Sequence, residues 1–182
     1  MLGPTKEEIR VITISKARLS EGSTVIDVGA GTGGLTVEAA LQVAPKGKVY
    51  AIDEDPKAIN LIKSNVEKFG VQENVKIVQG KAPEALLNLP KGDAVLVGGS
   101  GSLMEVLRAC VDKLKPNGRV VVNSILLETA CTAVDALKSF GFKEIDVCQI
   151  VIAKGKQVAG GTMMLARNPI IIVSATKPSG EN

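Results

Sequence analysis

The chain has 182 residues, of which 45% are hydrophobic and 23% charged. This composition excludes a disordered chain, and the length is typical of one domain, so we expect a single domain over residues 1–182. The net charge of +3 is too small to indicate a nucleic-acid backbone as partner. No apolar run approaches the roughly 20 residues of a spanning helix, so we expect no membrane partner either.

Histidine is absent from the chain. Its absence excludes Ser-His-Asp and Cys-His nucleophiles and imidazole-ligated metal sites, so we expect no metal and assign no catalytic side chain. The three cysteines, Cys110, Cys131 and Cys148, are far apart and odd in number, which does not favour a disulfide framework. We therefore expect a cytoplasmic protein.

Predicted helices and strands alternate along most of the chain. The chain begins with a helical preface in residues 1–19, in which the helix is predicted over Thr5–Leu19. After it, the periodicity predicts these elements in order: strand Val25–Val28, helix Gly34–Ala44, strand Lys48–Asp53, helix Pro56–Phe69, strand Val75–Gln79, a short helix Pro83–Leu89, strand Asp93–Val97, helix Ser102–Leu114, strand Arg119–Asn123 and helix Glu128–Phe140. This alternation is typical of a doubly wound α/β fold, with a mostly parallel sheet and helices on both faces.

The pattern changes after Gly141. Phe142–Ala153 and Ile170–Thr176 have the character of strands with no helix between them, which predicts a C-terminal antiparallel hairpin. The connecting segment Lys154–Pro169 is glycine-rich, basic and long for a hairpin loop, so we expect it at a subunit contact. A polar tail, residues 177–182, ends the chain.

The first predicted strand leads through a glycine-rich turn into a helix, in the sequence Val25-Ile-Asp-Val-Gly-Ala-Gly-Thr-Gly-Gly-Leu-Thr36. Backbone in such a turn approaches a ligand closely, and the helix N-terminus offers free N–H donors. Asp53 ends the next strand, where a carboxylate can hold both hydroxyls of a ribose. These features predict an adenosine-type ligand across the first two strands.

Two ligand classes fit the glycine spacing. Gly29, Gly31 and Gly34 satisfy the dinucleotide pattern G-x-G-x-x-G, whereas Gly29, Gly31 and Gly33 fit an S-adenosylmethionine loop. Asp27 favours the methyl donor, because a carboxylate there would repel a pyrophosphate and attract a methionyl ammonium. A dinucleotide, or a tight turn that binds no ligand, stays open at this point.

From Val25 to Asn123 the chain resembles the class I S-adenosylmethionine-dependent methyltransferases. The glycine loop carries the resemblance, together with Val49–Asp53, Gly80-Lys81-Ala82 and Leu114–Arg119. It implies S-adenosylmethionine as cofactor and S-adenosylhomocysteine as product. Lys81 stands where many members have Asp, which leaves the backbone of Ala82 to meet the adenine. The implied donor-site residues in these motifs are Gly29, Ala30, Gly31, Thr32, Gly33, Asp53 and Ala82.

Residues 97–101, Val-Gly-Gly-Ser-Gly, follow the fourth predicted strand, where acceptor chemistry is usual in this family. They lack the Asn/Asp-Pro-Pro-aromatic pattern of methyltransferases that act on amino groups of nucleic acids. Bare backbone here leads into a predicted helix start, which favours anions. Asn123 and Glu128 fall at the exit of the fifth predicted strand, where a hydrogen-bond donor or an acid could assist a proton transfer, but no sequence pattern assigns them that role.

Four segments outside the donor motif resemble the decarboxylating cobalt-precorrin carbon-15 methyltransferases of cobalamin biosynthesis: Gly3–Arg10, Val97–Gly101, Ile125–Thr129 and Gly161–Pro169. The resemblance implies methyl transfer to a meso carbon of a reduced tetrapyrrole, coupled to loss of carbon dioxide from an acetate side chain, in a homotetramer. It also implies that Thr5, which begins a capping-box pattern with Glu8, lies against the methyl donor.

A tetrapyrrole with several carboxylates calls for cations. Lys6, Arg10, Lys154, Lys156 and Arg167 flank the predicted active edge of the sheet. Two alternative functions stay open: a methyltransferase of another small molecule, and a non-catalytic module that binds an adenosine ligand. The substrate-binding candidates are Arg10, Gly98, Gly99, Ser100 and Arg167.

Overall fold

The structure, a computed structural model, describes residues 5–99 and 101–180. Its helices and strands are α1 (Glu7–Ala17), β1 (Thr24–Val28), α2 (Gly34–Val43), β2 (Lys48–Asp53), α3 (Pro56–Lys68), β3 (Val75–Gln79), β4 (Gly92–Val97), α4 (Leu103–Lys113), β5 (Leu114–Ser124), α5 (Leu127–Ser139), β6 (Lys143–Ile150), β7 (Ala153–Val158), β8 (Gly161–Ala166) and β9 (Ile170–Thr176). In this part of the chain, no helix has both the length and the apolar character needed to span a membrane.

Seven strands form the central sheet in the order β3-β2-β1-β4-β5-β9-β6. The first five are parallel to one another, whereas β9 pairs antiparallel with both β5 and β6. The predicted α/β fold with a mostly parallel sheet and a C-terminal antiparallel pair is therefore confirmed.

The central strands are apolar on both faces because helices cover both sides of the sheet. Alternate residues of β1 point into different cores: Val25 packs with residues of α1, α2 and α3, and Ile26 with residues of α4 and α5. The largest of the fully buried side chains in these two cores include Ile9, Ile62, Leu107 and Leu137.

The sheet order reverses between β1 and β4, which are neighbours although β2 and β3 intervene in the sequence. Ligands of open α/β sheets bind at the carboxyl ends of the strands beside such a reversal. The loops that leave β1 and β4 meet here, where Gly98 N–H donates to the carbonyl of Val28 at 2.9 Å. The fold thus places the two glycine-rich segments of the sequence against each other.

Three sequence predictions need correction. Lys154–Pro169 is not a loop, because β7 and β8 form a separate two-stranded hairpin within it, with Val158 opposite Gly161. The short helix predicted over Pro83–Leu89 is a single 3-10 turn, Glu84–Leu86. The Thr5 capping box is also wrong, since α1 begins one residue later than the box requires, with Lys6 at the N-cap and no side-chain cap.

Candidate active site

The loop after β1 depends on glycine for both its conformation and its packing. Gly29, Gly31 and Gly33 all adopt positive φ, at 70°, 59° and 76°. A Cβ at Gly29 would lie 2.4 Å from the carbonyl oxygen of Gly99, so only glycine permits this approach of the two loops. The N–H groups of Gly29 and Ala30 both donate to the carbonyl of Ile52, which ties the loop to β2.

Asp53, at the end of β2, joins this loop to the start of α3. Its Oδ2 accepts a hydrogen bond from the Gly31 N–H at 2.8 Å, and its Oδ1 accepts one from the Asp55 N–H at 3.0 Å. A carboxylate has about four acceptor positions, so two stay available to the hydroxyls of a ribose. The half-buried side chain lines a cleft, which makes those positions accessible.

A small cleft of about 220 Å³ opens beside Asp53, at the carboxyl ends of β1, β2 and β3. It brings together four of the predicted donor-site residues, although they lie on three separate segments of the sequence. Lys81 and Glu54 contribute its charged rim, and both are exposed. The four predicted residues in its lining are Gly29, Gly31, Asp53 and Ala82.

A large cavity of about 600 Å³ lies next to the small cleft, and the two share Gly29, Gly31 and Gly99 in their walls. Its lining comes from α1, the loops after β1 and β4, the end of β5 and the start of α5. Most of the lining is apolar side chain or bare backbone. The complete lining is Thr5, Lys6, Ile9, Gly29, Ala30, Gly31, Thr32, Val97, Gly98, Gly99, Leu103, Val122, Asn123, Ser124, Ile125, Leu126, Thr129 and Ile170.

The glycines that follow β4 differ in what a side chain would meet. A Cβ at Gly98 would lie 2.9 Å from the carbonyl oxygen of Gly29, so a side chain there would push the two loops apart. At Gly99 and Gly101 a Cβ would meet no protein atom within 4 Å, so a side chain would project into open space. Ser100 lies outside the described residues.

The remaining predicted donor-site residues divide between the cavity and the core. Thr5, Ala30 and Thr32 line the large cavity. Gly33 lines neither space, because it is buried against Ile62, where a Cβ would approach the backbone to 3.2 Å. Gly33 therefore contributes to packing of the loop against α3, and its place in the glycine spacing does not make it a cavity residue.

Neither predicted arginine lines the large cavity or the small cleft. The Arg10 Nε lies 3.2 Å from Glu38, and its Nη1 donates to the carbonyl oxygen of Thr5 at 2.7 Å. Arg167 is exposed after β8, and its backbone N–H donates to the carbonyl oxygen of Ile152. Lys154 pairs with Glu8 at 2.6 Å.

Lys6 is the ionisable side chain that the described wall of the large cavity does contain. It occupies the N-cap of α1, and its Nζ donates to the carbonyl oxygen of Asn168 at 3.3 Å. Its position among the basic residues near the N-terminus was visible in the sequence. Lys6 lines the cavity because α1 crosses the end of the sheet, and no local sequence pattern predicts where α1 packs.

Asp27 lies beneath the glycine loop and does not line either space. It is 1% exposed, and its Oδ2 accepts a hydrogen bond from the Thr36 hydroxyl at 2.6 Å. Burial raises the pKa of this carboxyl to about 6, the Thr36 hydrogen bond opposes the rise, and the negative charge of Asp53 adds to it. The expected attraction of Asp27 for a ligand ammonium would therefore have to act without direct contact.

The arrangement suits a group transfer between two bound molecules. One molecule with a ribose would occupy the small cleft, and a second would enter the large cavity, with only glycine backbone where the two spaces meet. Alignment of two reactants in one site removes much of the entropic barrier to their reaction. The apolar lining would exclude water from the contact between them.

Comparison with known proteins agrees with this geometry. Residues 3–177 match the model of the precorrin methyltransferase domain. A protein of Sulfurisphaera tokodaii named "probable cobalt-precorrin-6B C(15)-methyltransferase (decarboxylating)" is 50% identical over 96% of this chain and 90% of its own length. The protein of the same name from Saccharolobus solfataricus is 44% identical over 96% of this chain and 88% of its own length.

Solved structures give the same result. The precorrin 8w decarboxylase of Methanobacterium thermoautotrophicum superposes with a TM-score of 0.90 at 42% identity, over 95% of this chain and 91% of its own. A precorrin-6y C5,15-methyltransferase of Geobacter metallireducens has a TM-score of 0.89 at 35% identity, over 96% and 91% of the two chains. On its fold, its site and these similarities, the chain belongs to the precorrin methyltransferase family.

Proposed function

We propose that this protein moves a methyl group from S-adenosylmethionine to a meso carbon of a precorrin or cobalt-precorrin tetrapyrrole, and decarboxylates an acetate side chain of the same molecule, in cobalamin biosynthesis. Membership of the precorrin methyltransferase family supports the proposal. The observation that carries it is the junction of the small cleft and the large cavity at Gly29, Gly31 and Gly99.

The residues of the small cleft fit the adenosine half of the methyl donor. Asp53 has acceptor positions left for the two ribose hydroxyls, and the backbone of Ala82 is available to the adenine. Gly99 leaves open space where a side chain would otherwise separate the two compartments. The donor, when bound, supplies an electrophilic methyl group, and the large cavity takes the acceptor.

The acceptor chemistry needs alignment more than a strong base. A conjugated enamine of the tetrapyrrole is itself a carbon nucleophile, and its imine system is an electron sink for decarboxylation, as cofactors are in other enzymes. The described wall of the large cavity has neither histidine nor carboxylate. The chain would therefore act by holding the acceptor and excluding water.

Lys6 offers the positive charge that a polycarboxylate substrate needs at the mouth of the cavity. Its hydrogen bond to Asn168 is long, at 3.3 Å, and a substrate carboxylate would compete for the ammonium. Arg167, exposed on the same connecting segment, stays our candidate for a carboxylate that projects outside the cavity. Arg10 is the weaker candidate because Glu38 already pairs with it.

We also propose a homotetramer in the cytoplasm. The hairpin of β7 and β8 exposes Val158, Met163 and Met164, and Met164 is 62% accessible. Such an apolar surface on a projecting hairpin is consistent with a contact between subunits. Cys110, Cys131 and Cys148 are all free thiols, which suits a reducing compartment. Light scattering at several concentrations tests the assembly, and a strictly monomeric protein would contradict it.

The proposed reaction is tested by incubating the protein with S-adenosylmethionine and a late precorrin, with and without cobalt, and reading the product mass. We expect one methyl group gained and one carbon dioxide lost. A methylated product that keeps every carboxylate would favour the alternative of a simple small-molecule methyltransferase. Tight donor binding with no turnover of any precorrin would favour a non-catalytic adenosine-binding module.

A further inference from the structure

A buried threonine of α1 holds a carboxamide at the wall of the large cavity. Thr13 is completely buried, whereas Asn123, near the end of β5, lines the cavity. The Nδ2 of Asn123 lies 3.0 Å from the Thr13 Oγ1, and its Oδ1 lies 3.2 Å from the same atom. The two residues are 110 positions apart in the sequence, so this contact exists only in the folded chain.

The hydroxyl of Thr13 determines which way the carboxamide faces. A hydroxyl has one proton, and that of Thr13 is donated along the helix to the carbonyl oxygen of Ile9, at 2.7 Å. The Thr13 oxygen can then only accept, so Asn123 donates through Nδ2. The Oδ1 of Asn123 lies 3.2 Å from the same Oγ1, and with the Thr13 proton on Ile9 it keeps acceptor capacity for a group in the cavity that Asn123 lines.

Other polar groups of this wall have a different character. The hydroxyl of Ser124 donates to the carbonyl oxygen of Leu126 and accepts from its N–H, so both of its functions are already used. The ammonium group of Lys6 can only donate hydrogen bonds and cannot accept them. Asn123 provides the carboxamide acceptor of this wall, beside the hydroxyls of Thr5, Thr32 and Thr129, which can donate as well as accept.

We propose that the Asn123 Oδ1 accepts a hydrogen bond from a ring N–H of the tetrapyrrole, and that Thr13 is the positioning residue that fixes this orientation. The inference rests on the proposed function and adds the substrate group that this part of the wall recognises. An acceptor oxygen cannot pair with a substrate carboxylate, which leaves the N–H groups as its partners. A neutral carboxamide also avoids the repulsion that an Asp would exert on the carboxylates.

The contact would strengthen during methyl transfer. As the enamine carbon bonds to the methyl group, the C–S electron pair returns to sulfur, and the ring nitrogen donates its lone pair to form C=N. The nitrogen keeps its proton and becomes a cationic N–H. An acceptor dipole already aimed at that N–H stabilises the developing charge without reorganisation. The effect should therefore fall on kcat more than on KM.

Variants of the two residues test the proposal. We expect Asn123→Ala to lower kcat/KM for the tetrapyrrole about tenfold, mostly through kcat, and Thr13→Val to lower it about threefold, since each change removes or misaligns one hydrogen bond. Thr13→Ser keeps the hydroxyl and should restore the rate. Adding Thr13→Val to Asn123→Ala should cause no further loss. S-adenosylhomocysteine affinity, measured by calorimetry, should be unchanged throughout.

Each of the following results would overturn the proposal in whole or in part. Unchanged kinetics of Asn123→Ala would rule out the proposed contact between Asn123 and the substrate. Losses that multiply in the double variant, or that Thr13→Ser does not recover, would mean that Thr13 acts on packing alone; melting temperatures of the same preparations identify that case. No product from the wild-type protein would overturn the proposed function together with this role, whereas product formed equally by all variants would overturn the role alone.

Discussion

The two halves of the candidate site are built in different ways. The donor half, which is the small cleft with the glycine loop, consists of backbone and one carboxylate at the ends of adjacent strands. The acceptor half, which is the large cavity beyond Gly99, combines α1, the ends of β4 and β5, the start of α5 and Ile170. The first is built from a local sequence motif, whereas the second depends on segments that only the fold brings together.

The largest expected effect comes from the contact that joins the two halves. Gly29→Ala puts a Cβ 2.4 Å from the Gly99 carbonyl oxygen, on backbone with a φ of 70°. Both loops would have to shift, so we expect a loss of 3 kcal/mol or more of unfolding free energy, about the level of an overpacked core site, and loss of S-adenosylhomocysteine binding. Chemical denaturation measures the free energy of unfolding, and calorimetry measures S-adenosylhomocysteine binding.

Gly70→Ala is the matched control for this variant. Gly70 has nearly the same φ, 68°, but a Cβ there meets no atom within 4 Å. Gly70→Ala should therefore lose only about 1–2 kcal/mol of unfolding free energy, from backbone strain, and should bind S-adenosylhomocysteine as the wild type does. Equal effects of the two substitutions would mean that the contact between the loops is unimportant.

The boundary between the halves can be tested from the acceptor side with Gly99→Val. Its Cβ meets no protein atom within 4 Å, so the fold should tolerate it, but the side chain would occupy the space where the cleft and cavity meet. We expect turnover to fall at least about 100-fold, because reacting groups misplaced by about 1 Å lose that much. Donor affinity should stay nearly intact. An equal loss of donor binding would indicate instead that a side chain at this position also blocks the small cleft.

Asp53→Ala removes the single carboxylate assigned to the donor. We expect S-adenosylmethionine and S-adenosylhomocysteine to bind about 1–3 kcal/mol more weakly, the range for charged hydrogen bonds. Asp55→Ala is a suitable control, because Asp55 caps α3 through the Lys57 N–H and lines neither space. Unchanged affinity by calorimetry, or a preference for a nicotinamide dinucleotide, would contradict the assignment.

The smallest expected effect concerns Asp27, beneath the donor half. Its pKa, raised to about 6 from a usual value near 4, means that the folded state binds a proton more readily than the unfolded state. Stability contributed by that proton is therefore present below pH 4 and is lost as the pH rises towards 6.

The side chain of Asp27→Asn cannot titrate, so the free energy of unfolding of this variant should not fall between pH 4 and pH 6 as the wild-type value does. At pH 7 it should exceed the wild-type value by about 1 kcal/mol. The gain is limited because the new amide N–H groups need acceptors. Denaturation curves at pH 4, 5, 6 and 7 provide the comparison. A parallel pH dependence in both proteins would mean that Asp27 ionises normally in the folded state.

The donor half could be predicted from the sequence because each of its parts is local. A strand, a glycine turn and a helix follow one another, and Asp53 ends the next strand. The role of Asp27 was harder to see, although strand alternation contains the signal: Val25 and Asp27 share the face that α2 covers. The side chain therefore meets Thr36 and does not face a ligand.

The acceptor half could be predicted only in outline. The side chain of Arg10 pairs with Glu38 because α1 packs beside α2, and a helical pattern does not specify that neighbour. Thr13 and Asn123 meet only because α1 crosses the end of β5. By contrast, the hairpin of β7 and β8 had a local signal, since the pair Gly160-Gly161 stands at the turn from one strand-length segment to the next.

The central claim is that the small cleft holds the adenosine half of the donor and the large cavity holds the acceptor. A crystal structure with S-adenosylhomocysteine tests it most directly. The account predicts the ribose on Asp53, the adenine at Ala82 and the sulfur facing Gly99, with the space beside Asn123 and Lys6 left free. An adenosine lying in the large cavity against Asn123, with Asp53 untouched, would contradict it.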